Sequence, residues 1–195
     1  TIAKLGFRGV LAEGADRVMD WRSPNYVYSA ATAPNLRVIP RNYSLSDDVG
    51  FRFSRRDWDG WPVTAPKYAN WVAVSPGESV HLFLDYETFG EHQWSTTGIL
   101  DFLAHLPGEC AQRGIGFVHP STLARRPPVG PIHFDRPTSW ADEERDTSAW
   151  LGNRVQQSAH DWLYQVGQRI QETGDVHLLR DWRRLTLKGW CIAMS

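Results

Sequence analysis

The sequence predicts an α/β fold in which alternating strands and helices, as in a barrel or an open parallel sheet, give way to a region of helices alone. Three observations carry this reading. Short apolar runs of strand length are each followed by acidic residues, helical spacing appears between and after them, and beyond residue 139 only helical spacing remains.

The expected parallel strands are "FRGVLA" (7–12), "LRVIP" (36–40) and "SVHLFLD" (79–85). Between the second and third, "TAPKYANWVAV" predicts a helix, with Thr64 as cap, Pro66 in the first turn and Tyr68, Trp71 and Val72 on one face. After the third, "STTGILDFLAHLP" places Ile99, Phe102, Leu103 and Leu106 at i, i+3, i+4 and i+7, with Pro107 expected to end the helix. Residues 119–139 carry five prolines and read as a long irregular connection, the kind that forms a functional loop or a boundary. Then "TSAWLGNRVQQSAHDWLYQVGQRI" sets Leu151, Val155, Ala159, Trp162 and Val166 along one face of a long helix, and "DVHLLRDWRRL" predicts another after Gly174. Two domains are expected, 1–135 with the strands and 136–195 as a loop plus helices.

Composition narrows the function classes. A formal charge of -1, with no block of lysine or arginine, leaves no electrostatic footprint for nucleic acid or an anionic membrane. No apolar run approaches the ~18 residues of a membrane span. Cys110 and Cys191 have neither zinc-ligand spacing nor disulfide density, so they read as thiols in a reducing compartment, with a cytoplasmic location as the default. The chain opens with Thr1 rather than methionine and runs straight into what reads as domain interior, so a fragment is expected. Ten tryptophans offer flat faces that either fill a core or stack on sugar rings.

In parallel α/β folds, ligands bind at the carboxyl ends of strands. All three acidic groups fall there: Glu13 and Asp16; Asp47 and Asp48; and Asp85, Glu87 and Glu91. The plainer reading of each is loop solvation and helix capping. A fourth, "SWADEERD" (139–146), follows the proline-rich connection and reads either as a loop that closes over the same end or as an acidic first turn of the long helix, the latter favoured for Glu143, Glu144 and Asp146. Arg41 and Arg52 flank Asp47 and Asp48 and are natural counter-ions for them. Carboxylates beside tryptophans suit glycoside hydrolysis, in which a carboxylic acid protonates the leaving oxygen and a second carboxylate, ~5 to 5.5 Å away in retaining enzymes, attacks the anomeric carbon. A metal-assisted hydrolase using Asp47, Asp48 and His92 is weaker, because no histidine lies four residues from another. His92 itself is either a hydrogen-bonded spacer or a substrate contact. The G-x-S-x-G elbow, the dinucleotide fingerprint and the phosphate loop are all missing.

"RNYSLSDDVGFRFS", "LFLDYETFGEHQW" and "SWADEERDTSAWLGN", in that order, resemble the α-amylase group of glycoside hydrolase family 57. "LGFRGVLAEGADRVMDWRSPNYVY" extends the resemblance over nearly all the chain to about Leu185. The resemblance implies a partial (β/α)7 incomplete TIM-like barrel followed by a helical region, a retaining mechanism, no cofactor or metal, and α-1,4-glucan polysaccharide or maltooligosaccharide as partner. It also implies that Asp85 is the general acid/base, with a pKa raised by burial or by Glu87, which an extended strand would place on the same face. Glu87, His92, Trp94, Asp47, Asp48, Trp140 and Asp142 are the expected substrate-binding residues. The family's nucleophilic glutamate belongs to a motif expected before Thr1, and Glu13 matches a different position, so the isolated chain is expected to be inactive. "WRRLTLKGWCIAMS" departs from the family by placing Gly189 and Trp190 where an Asp-His pair would align. Two other functions stay open: a glucanotransferase or branching enzyme of the same family, and a non-catalytic glucan-binding homologue. A metal-dependent deacetylase is more distant.

Overall fold

A computed structural model describes residues 2–141 and 144–186. Asp142, Glu143, Gly189 and Trp190 therefore lie outside the described residues. The fold is mixed α/β and divides into two compact units, Thr1–Asp135 and Arg136–Ser195.

The first unit is built on a four-stranded sheet in the order β1-β3-β2-β4, with β1 Gly9–Ala12, β2 Tyr28–Ala30, β3 Ala33–Pro40 and β4 Pro131–Ile132. β1 and β3 are parallel, with Val10 opposite Val38 and Leu11 opposite Ile39. β2 returns antiparallel to β3, and β4 runs parallel to β2 on the far edge. Side-chain alternation then fixes the layers. Val38 and Tyr28 pack with Val18 and Met19 of α1 (Asp16–Met19) on one face. Val27 and Ile39 pack with Leu123 of α5 (Pro120–Leu123) and with Phe83.

A second core joins α2 (Tyr43–Gly50), α3 (Ala65–Val74) and α4 (Ile99–Gln112) through Leu45, Val49, Tyr68, Ile99 and Phe102. Tyr68 is wholly buried, donates its hydroxyl to the Leu45 carbonyl at 2.7 Å, and meets Phe102 edge-on at 5.5 Å between ring centres. Burial pushes its phenol far above the ordinary range. The Thr64 hydroxyl accepts from the Lys67 amide and Pro66 sits in the first turn, so α3 starts where its sequence places it.

The structure corrects several expectations. Residues 79–85 are extended but are not a ladder strand. Their polar backbone is taken up piecemeal: the Asn42 amide donates to the His81 carbonyl, Ser46 Oγ accepts from the Phe83 amide, and Arg41 Nε donates to the Phe83 carbonyl. An apolar run reads alike whether a strand or such side chains satisfy it. α4 passes through Pro107 to Gln112; Leu103, one turn back, is 42% exposed, so water can replace the lost bond there. The proline-rich stretch is not wholly irregular, since it contributes α5 and β4.

In the second unit the expected long helix is broken. α6 (Ser148–Leu151) is a single turn, and α7 (Arg154–Thr173) restarts behind a capping box of Asn153 and Gln156. The apolar face is also turned by one position, because Val155 and Trp162 are exposed whereas Gln156 and Gly167 are buried. α8 (Val176–Leu185) follows Gly174 and is capped by Asp175. Trp182 donates Nε1 to the Leu163 carbonyl and lies so close to Gly167 that a Cβ there would meet its ring at 2.4 Å.

Candidate active site

The chain leaves β3 at Pro40 and enters a polar knot before α2 begins. Asn42 caps α2 by accepting from the Leu45 amide, and its Nδ2 donates to Asn25. Arg41, 2% exposed, donates Nη2 to Asp47 at 2.6 Å, Nη1 to Glu13 at 3.4 Å and Nε to the Phe83 carbonyl at 3.0 Å. One guanidinium thus holds the end of β1, the first turns of α2 and the segment leading to Asp85. The fit is tight, since a Cβ on Gly14 would lie 2.2 Å from the Arg41 carbonyl oxygen. Asp48, in the last turn of α2, is held by two bonds at 2.8 and 2.6 Å from Arg52, which lies just beyond the helix end. Burial pushes the Asp48 carboxyl above the usual carboxylate range, against the pull of Arg52.

His81 is buried in the same region. Nδ1 lies 2.8 Å from the Pro40 carbonyl, which can only accept, so Nδ1 carries the proton and Nε2 accepts from the Ser79 hydroxyl at 2.8 Å. Burial holds the His81 pKa below the ordinary imidazole value, against the pull of its carbonyl partners.

Along 80–85 the side chains alternate. Val80, Leu82 and Leu84 pack toward the helical core, and Phe83 packs toward the sheet. Asp85 then emerges half-buried. Its backbone carbonyl accepts from Thr88, but its carboxylate makes no hydrogen bond or ion pair within the described residues. A 3-10 turn at Tyr86–Thr88 ends the extended alternation, so the expected shared face for Asp85 and Glu87 does not arise from a strand. Glu87 points into solvent, with Glu91 and His92. The loop is nonetheless tightly made. Glu91 and His92 amides donate to the Glu87 carbonyl, the Gln93 amide to Thr88, and Gln93 Nε2 to the Gly50 carbonyl at the end of α2. Gly90, at φ 129, supplies a backbone angle closed to other residues. Buried Thr88 and Gln93 anchor the loop, and Trp94 stands 69% exposed beside it.

The predicted residues therefore separate. Asp85, Glu87, His92 and Trp94 share one loop, whereas Asp47 and Asp48 lie beneath it, buried against arginines. Trp140 is half-buried in the second unit. Asp146 accepts from the Ser148 amide at the start of α6. Sequence reasoning anticipated the arginine counter-ions but missed Gln93, whose only signal is its place in the loop. Among the described residues, no three of His, Cys, Asp and Glu come together as metal ligands. No helix among them is long and apolar enough to cross a membrane.

Chemically, the loop offers a half-buried carboxylate with no hydrogen-bond or ion-pair partner among the described residues, at the start of a tightly bonded turn that also carries an exposed indole. The comparisons with known proteins agree in kind. A protein of Methanocaldococcus jannaschii named "Putative alpha-amylase" is 48% identical to this chain over 179 residues, covering 89% of the chain and 38% of that protein. The chain thus spans well under half the length of this relative. No solved structure matches it. The family model described as Glycosyl hydrolase family 57 matches residues 1–133, which include the sheet, the arginine knot and the whole Asp85 loop. The chain belongs to glycosyl hydrolase family 57.

Proposed function

We propose that this chain is the acid/base-bearing part of a retaining glycoside hydrolase that cleaves α-1,4-glucans. Asp85 serves as general acid and then general base. In the first step it gives its proton to the glycosidic oxygen as a carboxylate attacks the anomeric carbon; in the second it takes a proton from the water that releases the sugar. The nucleophile is a glutamate supplied from outside these 195 residues, within the remains of a (β/α)7 barrel that the sheet and Asp85 loop help to complete. The chain alone is accordingly inactive.

The observation that carries this reading is the contrast among buried and half-buried acids. Glu13, Asp47 and Asp48 are each bonded to an arginine, whereas among the described residues no cation or hydrogen-bond donor meets the half-buried carboxylate of Asp85. Family membership and the name of the M. jannaschii relative support the substrate class. In this reading Glu87, His92 and Trp94, exposed on the same loop, contact the substrate.

The test uses the intact protein that carries this chain, with soluble starch and with short maltooligosaccharides. New reducing ends of retained α configuration are expected, and Asp85→Asn is expected to remove ~10² to 10⁴ of the rate on starch. Longer products from short substrates would instead identify transfer. Undiminished cleavage by Asp85→Asn would remove Asp85 from the role.

A further inference from the structure

A second feature of the first unit is absent from the mechanism just described. A cleft of about 560 Å³ opens between the turn after α1 and the start of β4, lined by Trp21, Arg22, Tyr26 and Tyr28 with Val129–Pro131. Its size falls within the ~300–1,000 Å³ of small-ligand sites. Register places it at the sheet end where β1 and β3 finish, because Tyr28 pairs with Val38 and Gly130 stands just before β4, which is parallel to β2.

Both walls are fixed. The Tyr28 hydroxyl donates to the Ser23 carbonyl at 2.7 Å, holding the 21–23 turn against β2. Opposite, the Val129 amide donates to the Val27 carbonyl and the Ser29 amide to the Gly130 carbonyl, each at 2.9 Å. Tyr28 forms a buried floor and Tyr26 is half-buried against the same cluster.

Trp21 is the unusual member. Val18 and Met19 are buried core residues, yet Trp21, two residues on, is 82% exposed. The chain reaches this arrangement through Asp20 at φ 54 and ψ -123, a conformation that costs a non-glycine residue on the order of 1–3 kcal/mol. Strain that turns a large apolar ring out of an available core needs a return elsewhere. Arg22 covers one side of the indole, with its guanidinium carbon 5.3 Å from the ring centre. The high exposure of the ring leaves its other face to solvent.

The lining contains no carboxylate, and its one charged group is the Arg22 guanidinium, which already covers one face of Trp21 and repels a second cation. It combines flat aromatic faces with a few donors, the guanidinium of Arg22 and the hydroxyls of Ser23 and Tyr26. Those features suit a neutral ligand with apolar faces and hydroxylated edges, which is a pyranose ring. We propose that this cleft is a glucan subsite apart from the Asp85 loop, in which Trp21 and Tyr26 stack on glucosyl units and Arg22 and Ser23 take their hydroxyls. The glucan identity rests on the reading of the intact protein as an α-glucan hydrolase.

The experiment measures calorimetric binding of maltoheptaose to the intact protein carrying Asp85→Asn, which prevents turnover, with and without Trp21→Ala. Trp21→Ala is expected to raise Kd roughly three- to tenfold, the scale of a lost aromatic stack, and Trp21→Phe to restore most of it. Trp21→Ala should leave the unfolding midpoint and the amide exchange protection of β1 and β3 unchanged, which separates lost binding from misfolding. An unchanged Kd in Trp21→Ala overturns the proposal, as does equal, equally Trp21-dependent binding of cellohexaose. Trp21-dependent binding by a protein that cleaves nothing would uphold the cleft and refute the hydrolase reading. Cleavage with no dependence of binding on Trp21 would do the reverse.

Discussion

Replacing Arg41 with methionine removes the cation that faces two buried carboxylates. Side-chain exposure is 2% for Arg41, 1% for Glu13 and 8% for Asp47, so solvent screens little of the loss. Breaking a buried ion pair costs ~3–5 kcal/mol, and the Phe83 carbonyl would lose its charged donor as well, another ~1–3 kcal/mol. Neutralisation of the stranded acids recovers part, so a net cost of about 4 kcal/mol is expected, against total stabilities of ~5–15 kcal/mol. By the tenfold rule of ~1.4 kcal/mol, this corresponds to a loss of roughly 10³ in amide exchange protection. Hydrogen exchange in the intact protein, read at β1, β3 and α2, measures it locally. Removing Asp47 at the same time, in Arg41→Met with Asp47→Asn, should restore part of the loss, because the second change takes away one stranded charge. A change below about tenfold, or a double variant no better than the single one, would refute the view that this knot holds the region together.

Two further expectations concern pH and packing. The folded His81 pKa is depressed, so its contribution to stability is fully present above the unfolded value of ~6.5 and is lost as pH falls below that toward the folded pKa. The unfolding midpoint of the parent should therefore drop more between pH 7 and 5 than that of His81→Gln, and parallel slopes would contradict the burial argument. In the second unit, Gly167→Ala improves helix propensity by ~1 kcal/mol but drives a Cβ into Trp182. It should lower exchange protection in α8, and a gain there would show that Trp182 moves aside at no cost.

How much was legible in the sequence depended on which interactions were local. β1 and β3 could be read because each carries a continuous apolar run, although only the second half of β3 is buried and Leu11 of β1 is exposed. β2 and β4 could not, since strands of three and two residues carry almost no pattern; β2 forms on the edge that β3 offers, and β4 on the edge that β2 offers. The 79–85 run showed burial truthfully but not its partners, which come from Arg41 and Ser46, some forty residues earlier in the chain. α7 lost its expected face because Gly152 and Asn153 restart the helix, and because a large ring on α8 demands Gly167 opposite it. At the site, the Asp48–Arg52 pair was visible as an i,i+4 spacing, and Arg41 was visible as a neighbour of the acids. The division of labour was not: spacing alone cannot tell carboxylates buried against arginines from one left free at a loop. Trp21 passed unnoticed, since one tryptophan among ten gives no sign of being turned outward by a strained residue before it.

The central claim is that Asp85 supplies the proton for glycosidic cleavage. Leaving-group dependence in Asp85→Asn tests it most directly, with the intact protein acting on soluble starch and on an aryl maltooligoside whose nitrophenolate departs without protonation. The variant should lose ~10² to 10⁴ on starch but far less in the first, aryl-releasing step. Equal losses on both substrates, or starch cleavage at the parent rate, would contradict it.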